Sequence, residues 1–108
     1  MTKMNIKELQ IKVNSFIQQH NLQTDVATRM LDLVSEVGEL AKELLKSTNY
    51  GKQATDLTDS FRSELGDVLF SLICIANSTN IDLQDCLNEV LQKYQQRFKD
   101  KGTIESRN

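Results

Sequence analysis

No proline interrupts this chain of 108 residues, and its four glycines stand far apart. Helix-breaking residues are therefore scarce, while apolar side chains recur at i, i+3, i+4 and i+7 almost throughout. No stretch carries a competing strand pattern. The expected fold class is all-α, and the length corresponds to about one domain.

The periodicity divides into four helices. The first is expected over about residues 5–20, with Ile6, Leu9, Val13, Phe16 and Ile17 on its inner face. After a turn at 21–25, where Thr24 or Asp25 can cap the next start, the second spans about 26–47. Its stripe is Met30, Leu33, Val34, Val37, Leu40, Ala41 and Leu44. A loop holding Asn49, Gly51 and the polar run 55–60 leads to a third helix over about 60–78. The fourth starts behind Asp82, with Ile81 and Cys86 spaced as a hydrophobic staple. It carries Leu83, Leu87, Val90, Leu91, Tyr94 and Phe98 to about residue 99. Residues 1–100 form the expected domain, and 101–108 read as a flexible, polar, glycine-broken tail.

The third helix is apolar on almost every side. Such a helix is buried on every side, which a small four-helix domain does not manage alone, so a homo-oligomer is expected. Net charge is −2 and the pI about 5.3, leaving no strongly basic field for nucleic acid or an anionic membrane. The longest apolar run, residues 68–76, is far short of the roughly 20 a membrane span needs. Residues 1–5 lack the apolar core of a signal peptide. Cys74 and Cys86 sit in helical patterns without metal-type spacing, and read as buried free thiols of a cytoplasmic protein.

One acidic motif occurs twice. Ser35-Glu36-Val37-Gly38-Glu39-Leu40 returns 28 residues later as Ser63-Glu64-Leu65-Gly66-Asp67-Val68. Each copy puts two carboxylates at i and i+3, on one side of a helix. A single E-x-x-E is most often a pair of solvated acids. Here six consecutive positions match in type, including a mid-helix glycine that costs about 1 kcal/mol relative to alanine. Glycine at the same place twice suggests that backbone or ligand comes close there. If the two helices pack together, four carboxylates meet and repel unless a cation holds them. Hard oxygen donors of this kind suit Mg²⁺ bound with phosphate oxygens. No G-x-x-x-x-G-K phosphate loop is present, and the single histidine, His20, excludes a di-iron site built from E-x-x-H motifs.

Glu36-x-x-Glu39 followed by Glu64-x-x-Asp67 resembles the E-x-x-E … E-x-x-D signature of the all-α, MazG-like nucleoside triphosphate pyrophosphohydrolases. The likeness extends from the first helix through the fourth. It implies a four-helix bundle-like fold assembled as a dimer or tetramer. It also implies Mg²⁺ bound by Glu36, Glu39, Glu64 and Asp67, and cleavage of a nucleoside triphosphate between the α- and β-phosphates to monophosphate and pyrophosphate. The implied role is removal of unwanted nucleotides. Glu39 is the expected general base. Many members carry a second glutamate where this chain has Ser35, which leaves that assignment open.

Lys93 and Arg97, at i and i+4 of the fourth helix, are expected on the triphosphate, as basic residues there are in similar proteins. A solvated helix end is the alternative. Phe16 and His20 share a face and could stack on a base, the alternative being core plus helix end. Two other functions stay open: a dedicated dCTP, dUTP or phosphoribosyl-ATP pyrophosphohydrolase, and a non-catalytic helical oligomerisation module.

Overall fold

Each helix begins where a short polar side chain takes up N–H groups that the first turn leaves free. In the computed structural model, which describes residues 3–103, these caps set four helices. Asn5 Oδ1 accepts from the Glu8 N–H at 2.8 Å and opens α1, Ile6–Gln19. Asp25 accepts from Thr28 at 2.7 Å and opens α2, Val26–Ser47. That bond holds the Asp25 carboxyl below its ordinary pKa. Thr58 opens α3, Asp59–Ser78, and Asp82 opens α4, Leu83–Lys101. Asn21 and Asn80, both at positive φ, turn the chain out of α1 and α3, a conformation asparagine tolerates better than most residues.

The all-α expectation holds, and no strand occurs among the described residues. α4 reaches Lys101, one residue into the expected tail, and closes on Gly102 in the left-handed region. Residues 104–108 of that tail lie outside the described residues.

α2 and α3 pair along their length, α1 packs on α3, and α4 rests mainly on α1. The four helices do not close into a compact bundle by themselves. Their radius of gyration is 17.2 Å, against roughly 13 Å for a compact domain of this length. The buried centre is small: Ile17 of α1 with Ser71, Ile73, Cys74 and Ala76 of α3.

The expected stripe of α2 divides accordingly. Leu33 and Leu40 turn toward α3, while Met30, Val34, Val37 and Leu44 stay exposed. One partner helix covers only part of an arc this broad. α3 likewise leaves Leu65, Leu69 and Leu72 at 40–51% exposure.

A buried polar residue, Gln10, joins the remaining elements. Its amide donates to Asn77 Oδ1 (3.1 Å) and the Ile81 carbonyl (2.9 Å), and accepts from the Leu83 N–H (2.9 Å). Asn77 returns a bond to the Gln10 carbonyl at 2.9 Å. Gln10 thus ties α1 to the end of α3 and takes up a free N–H of α4. Replacing Gln10 with Leu should cost about 2 to 4 kcal/mol, because several shielded groups lose their partner. Urea unfolding would show a lower midpoint at unchanged m.

Candidate active site

The α2–α3 seam carries acids where a helix pair ordinarily carries leucine. The α2 residues turned toward α3 are Arg29, Leu33, Glu36, Leu40, Glu43 and Ser47, and α3 answers with Phe61, Glu64, Val68, Ser71 and Ile75. Both rows step by threes and fours, the spacing of a packed helical interface. Glu36 and Glu64 therefore face each other half-buried, and Asp67 stands one turn along α3 at the open edge.

Carboxylate oxygens of Glu36, Glu64 and Asp67 all lie within 4.8 Å of one another. Glu64 has its pKa raised above the ordinary value of 4.5, first by partial burial and then by the charges of Asp67, Glu36 and Glu39. A hydrogen bond to the Glu36 carboxyl adds to the shift. Four acids thus act on one another, three of them close enough to share an ion. Glu39 is exposed on α2, outside the trio yet near enough for its charge to reach Glu64. Hard oxygen donors from two helices, crowded enough to repel one another, fit a divalent cation such as Mg²⁺.

Inside the chain the two motif glycines meet no neighbour. A Cβ at Gly38 or Gly66 would meet nothing within 4 Å. The approach of α2 to α3 does not require them, and no close contact inside the chain explains them.

The groups acting on Glu64 are all carboxylates; neither Lys93 nor Arg97 is among them. Both lie on α4 with their cationic heads over the Tyr94 ring, at 5.7 and 5.9 Å. Phe16 is 41% exposed, with its ring 4.6 Å from His20 and 6.3 Å from Phe70, edge-on to both. Sequence reasoning passed over Arg29, Asn14 and Gln18, which line a cavity beside the same seam. Arg29 carried a signal: it stands seven residues before Glu36 and shares its helical row.

A helical scaffold that clusters carboxylates across two helices defines the class: an all-α protein built around an acidic site. Residues 24–101 match the MazG nucleotide pyrophosphohydrolase domain family. The chain is 36% identical to the uncharacterized protein YpjD of Bacillus subtilis (strain 168) over 107 residues, 95% of either chain. It superposes on the crystal structure of the Bacillus-conserved MazG protein, a nucleotide pyrophosphohydrolase, with TM-score 0.76 and 38% identity, over 94% of this chain and 100% of that one. The crystal structure of YPJD from Bacillus subtilis gives TM-score 0.75 and 34% identity, over 90% and 99% of the two chains. The chain belongs to the MazG nucleotide pyrophosphohydrolase family.

Two expectations follow from the site. Gly38→Ala and Gly66→Ala should each stabilise the fold by about 1 kcal/mol, read by urea unfolding. Lost activity in a stabilised variant would place a ligand or a second chain against that backbone. For Glu64, a raised folded pKa means stability is fully present below the ordinary glutamate value and declines as pH rises through the folded one. Without metal at pH 7, Glu64→Gln should melt at or above the wild-type temperature. With Mg²⁺ the order should reverse, since only the wild type gains fully by mass action.

Proposed function

We propose that this protein hydrolyses nucleoside triphosphates between the α- and β-phosphates, in a Mg²⁺-dependent reaction that clears unwanted nucleotides from the cytoplasm. The observation that carries the reading is the convergence of Glu36, Glu64 and Asp67 within 4.8 Å across the α2–α3 seam. Acids so placed repel one another, and they are useful where positive charge and phosphate oxygens join them. Glu36, Glu64 and Asp67, with Glu39 at the mouth, would hold the ion, which would supply charge stabilisation to the phosphate oxygens.

The remaining chemistry belongs to the chain. Glu39, exposed at the mouth of the cluster, orients a water and takes its proton. The water oxygen forms a bond to the α-phosphorus, the bridging α–β bond breaks, and pyrophosphate leaves with its electron pair. Lys93 and Arg97 of α4 bind the triphosphate, and Phe16 stands against the nucleoside. Residues 1–100 form the working domain. The exposed apolar sides of α2 and α3, with the open radius of gyration, support assembly as a homodimer or homotetramer. A second copy would also place further side chains around the site.

Product analysis tests the reading. With Mg²⁺ and a panel of canonical and modified triphosphates, dCTP, dUTP and phosphoribosyl-ATP included, pyrophosphate and monophosphate should appear without orthophosphate. Glu39→Gln should lower the rate by about 100-fold or more, the usual contribution of a general base. No turnover on any substrate, together with a melting temperature indifferent to Mg²⁺, would leave a helical oligomerisation module instead.

A further inference from the structure

We infer that α4 of one copy packs along the outer face of α2 in a second copy, so that Lys93 and Arg97 serve the acid cluster of the partner and not their own. The inference rests on the triphosphate reading above and deepens it, because it makes each site the work of two chains.

Within one chain the cations and the acids are kept apart. α4 rests mainly on α1, and α2 packs chiefly on α3. The charges that act on Glu64 are those of Asp67, Glu36 and Glu39. Lys93 and Arg97 stand instead over the Tyr94 ring of their own helix. A cluster of four acids and a helix end with Lys93, Arg97, Lys99 and Lys101 are electrostatic complements, and the single chain does not bring them together.

Two unmatched apolar rows supply the joint. At roughly 100° per residue, Leu31, Val34, Gly38, Ala41 and Leu45 fall on the side of α2 opposite Glu36 and the α3 seam. Leu31 and Val34 are 70% and 63% exposed, so nothing in the chain covers this side. On α4, Leu87, Leu91, Tyr94 and Phe98 form a second row, with Phe98 57% exposed. Both rows step by threes and fours, the spacing of a helix–helix seam, over roughly 21 Å and 17 Å of axis. Their volumes are complementary. The α2 row is small at its centre, Gly38 and Ala41, while the α4 row carries two aromatic rings. A ring set over Gly38 gives that glycine the close neighbour that its own chain does not supply.

The same packing places the charges. Glu39 follows Gly38 on α2, and Lys93 and Arg97 precede Tyr94 and Phe98 on α4. With α4 parallel to the partner's α2, both cations lie on the edge of the seam where Glu39 stands, at the rim of the acid cluster. The exposed area agrees with a second chain. The molecule leaves 8381 Å² accessible, against roughly 6,100 Å² for a compact monomer of 12.3 kDa. The surplus of roughly 2,300 Å² is well above the ~800 Å² that one partner gives to a standard interface. In a two-fold pair each copy gives one α4 and receives one, so both rows of both chains are covered.

Two tests decide it. In the first, a chain with Glu36→Gln and Glu64→Gln is co-expressed with a chain carrying Lys93→Ala and Arg97→Ala. Each variant alone should lose about tenfold or more in pyrophosphate release. Together they should recover about a quarter of the wild-type rate, because random pairing joins intact acids to an intact α4 in one site of four. Acids and cations of the same chain would give no recovery, since every site then carries a lesion. In the second, Gly38→Leu is compared with wild type by sedimentation equilibrium. Nothing inside the chain lies within 4 Å of a Cβ there, so the variant should keep its helical circular dichroism yet associate about tenfold or more weakly. Assembly untouched by Gly38→Leu, or no recovery in assemblies shown by two tags to hold both chains, would overturn the inference and leave the hydrolase reading standing. A wild type that turns over as a monomer at every concentration would do the same. A wild type that releases no pyrophosphate from any triphosphate would overturn the reading and with it the role of the cations, while Gly38→Leu would still decide the seam.

Discussion

The antiparallel seam between α2 and α3 is the interaction on which the rest of the molecule depends. It is the largest helix contact among the described residues, and Glu36 and Glu64 face each other across it. Apolar residues there would give a firmer pair, because facing carboxylates repel and lose hydration as they approach. The seam tolerates them because Leu33, Leu40, Val68 and Ile75 pack on either side, and because the helices leave an open edge at Asp67. Stability is spent where charge is concentrated, the usual relation between a fold and its working site.

α3 is the axis of the structure, and its surface divides into four sectors with different duties. One meets α2 and carries Glu64. Another meets α1 and holds Ile73 and Asn77. The third, Leu65, Leu69 and Leu72, is apolar and half-exposed. The fourth carries Asp67 at the open edge of the acid cluster. α1 contributes no acid, and the Gln10–Asn77 bonds hold it against α3.

Much of this was legible in the chain. Helical periodicity located all four helices within about two residues, because an amphipathic repeat and a capping side chain are local properties. The acid pairs were legible for the same reason: i and i+3 share a face whatever the helix packs against. Other features were not. Gln10 looked like any solvated glutamine, since nothing nearby in sequence reports that three of its partners lie 67 to 73 residues away. The apolar arc of α2 gave no sign that only Leu33 and Leu40 of its leucines would turn toward α3. The glycines suggested a close approach that the folded chain does not contain.

By itself, then, the sequence determined the elements and the chemistry available to them: four helices, two repeated carboxylate pairs, and more apolar surface than one small domain can bury. Tertiary structure alone decided which of those groups meet. It set Glu36 against Glu64 and drew in Asp67, left Glu39 at the mouth, and laid α4 with its cations on α1. It also framed the cavity between α1, the start of α2 and the end of α3. The physical reason is range. Propensity, capping and periodicity act over a few residues along the chain, whereas carboxylate repulsion, shared ions and cavities depend on the angle and register at which separate helices pack.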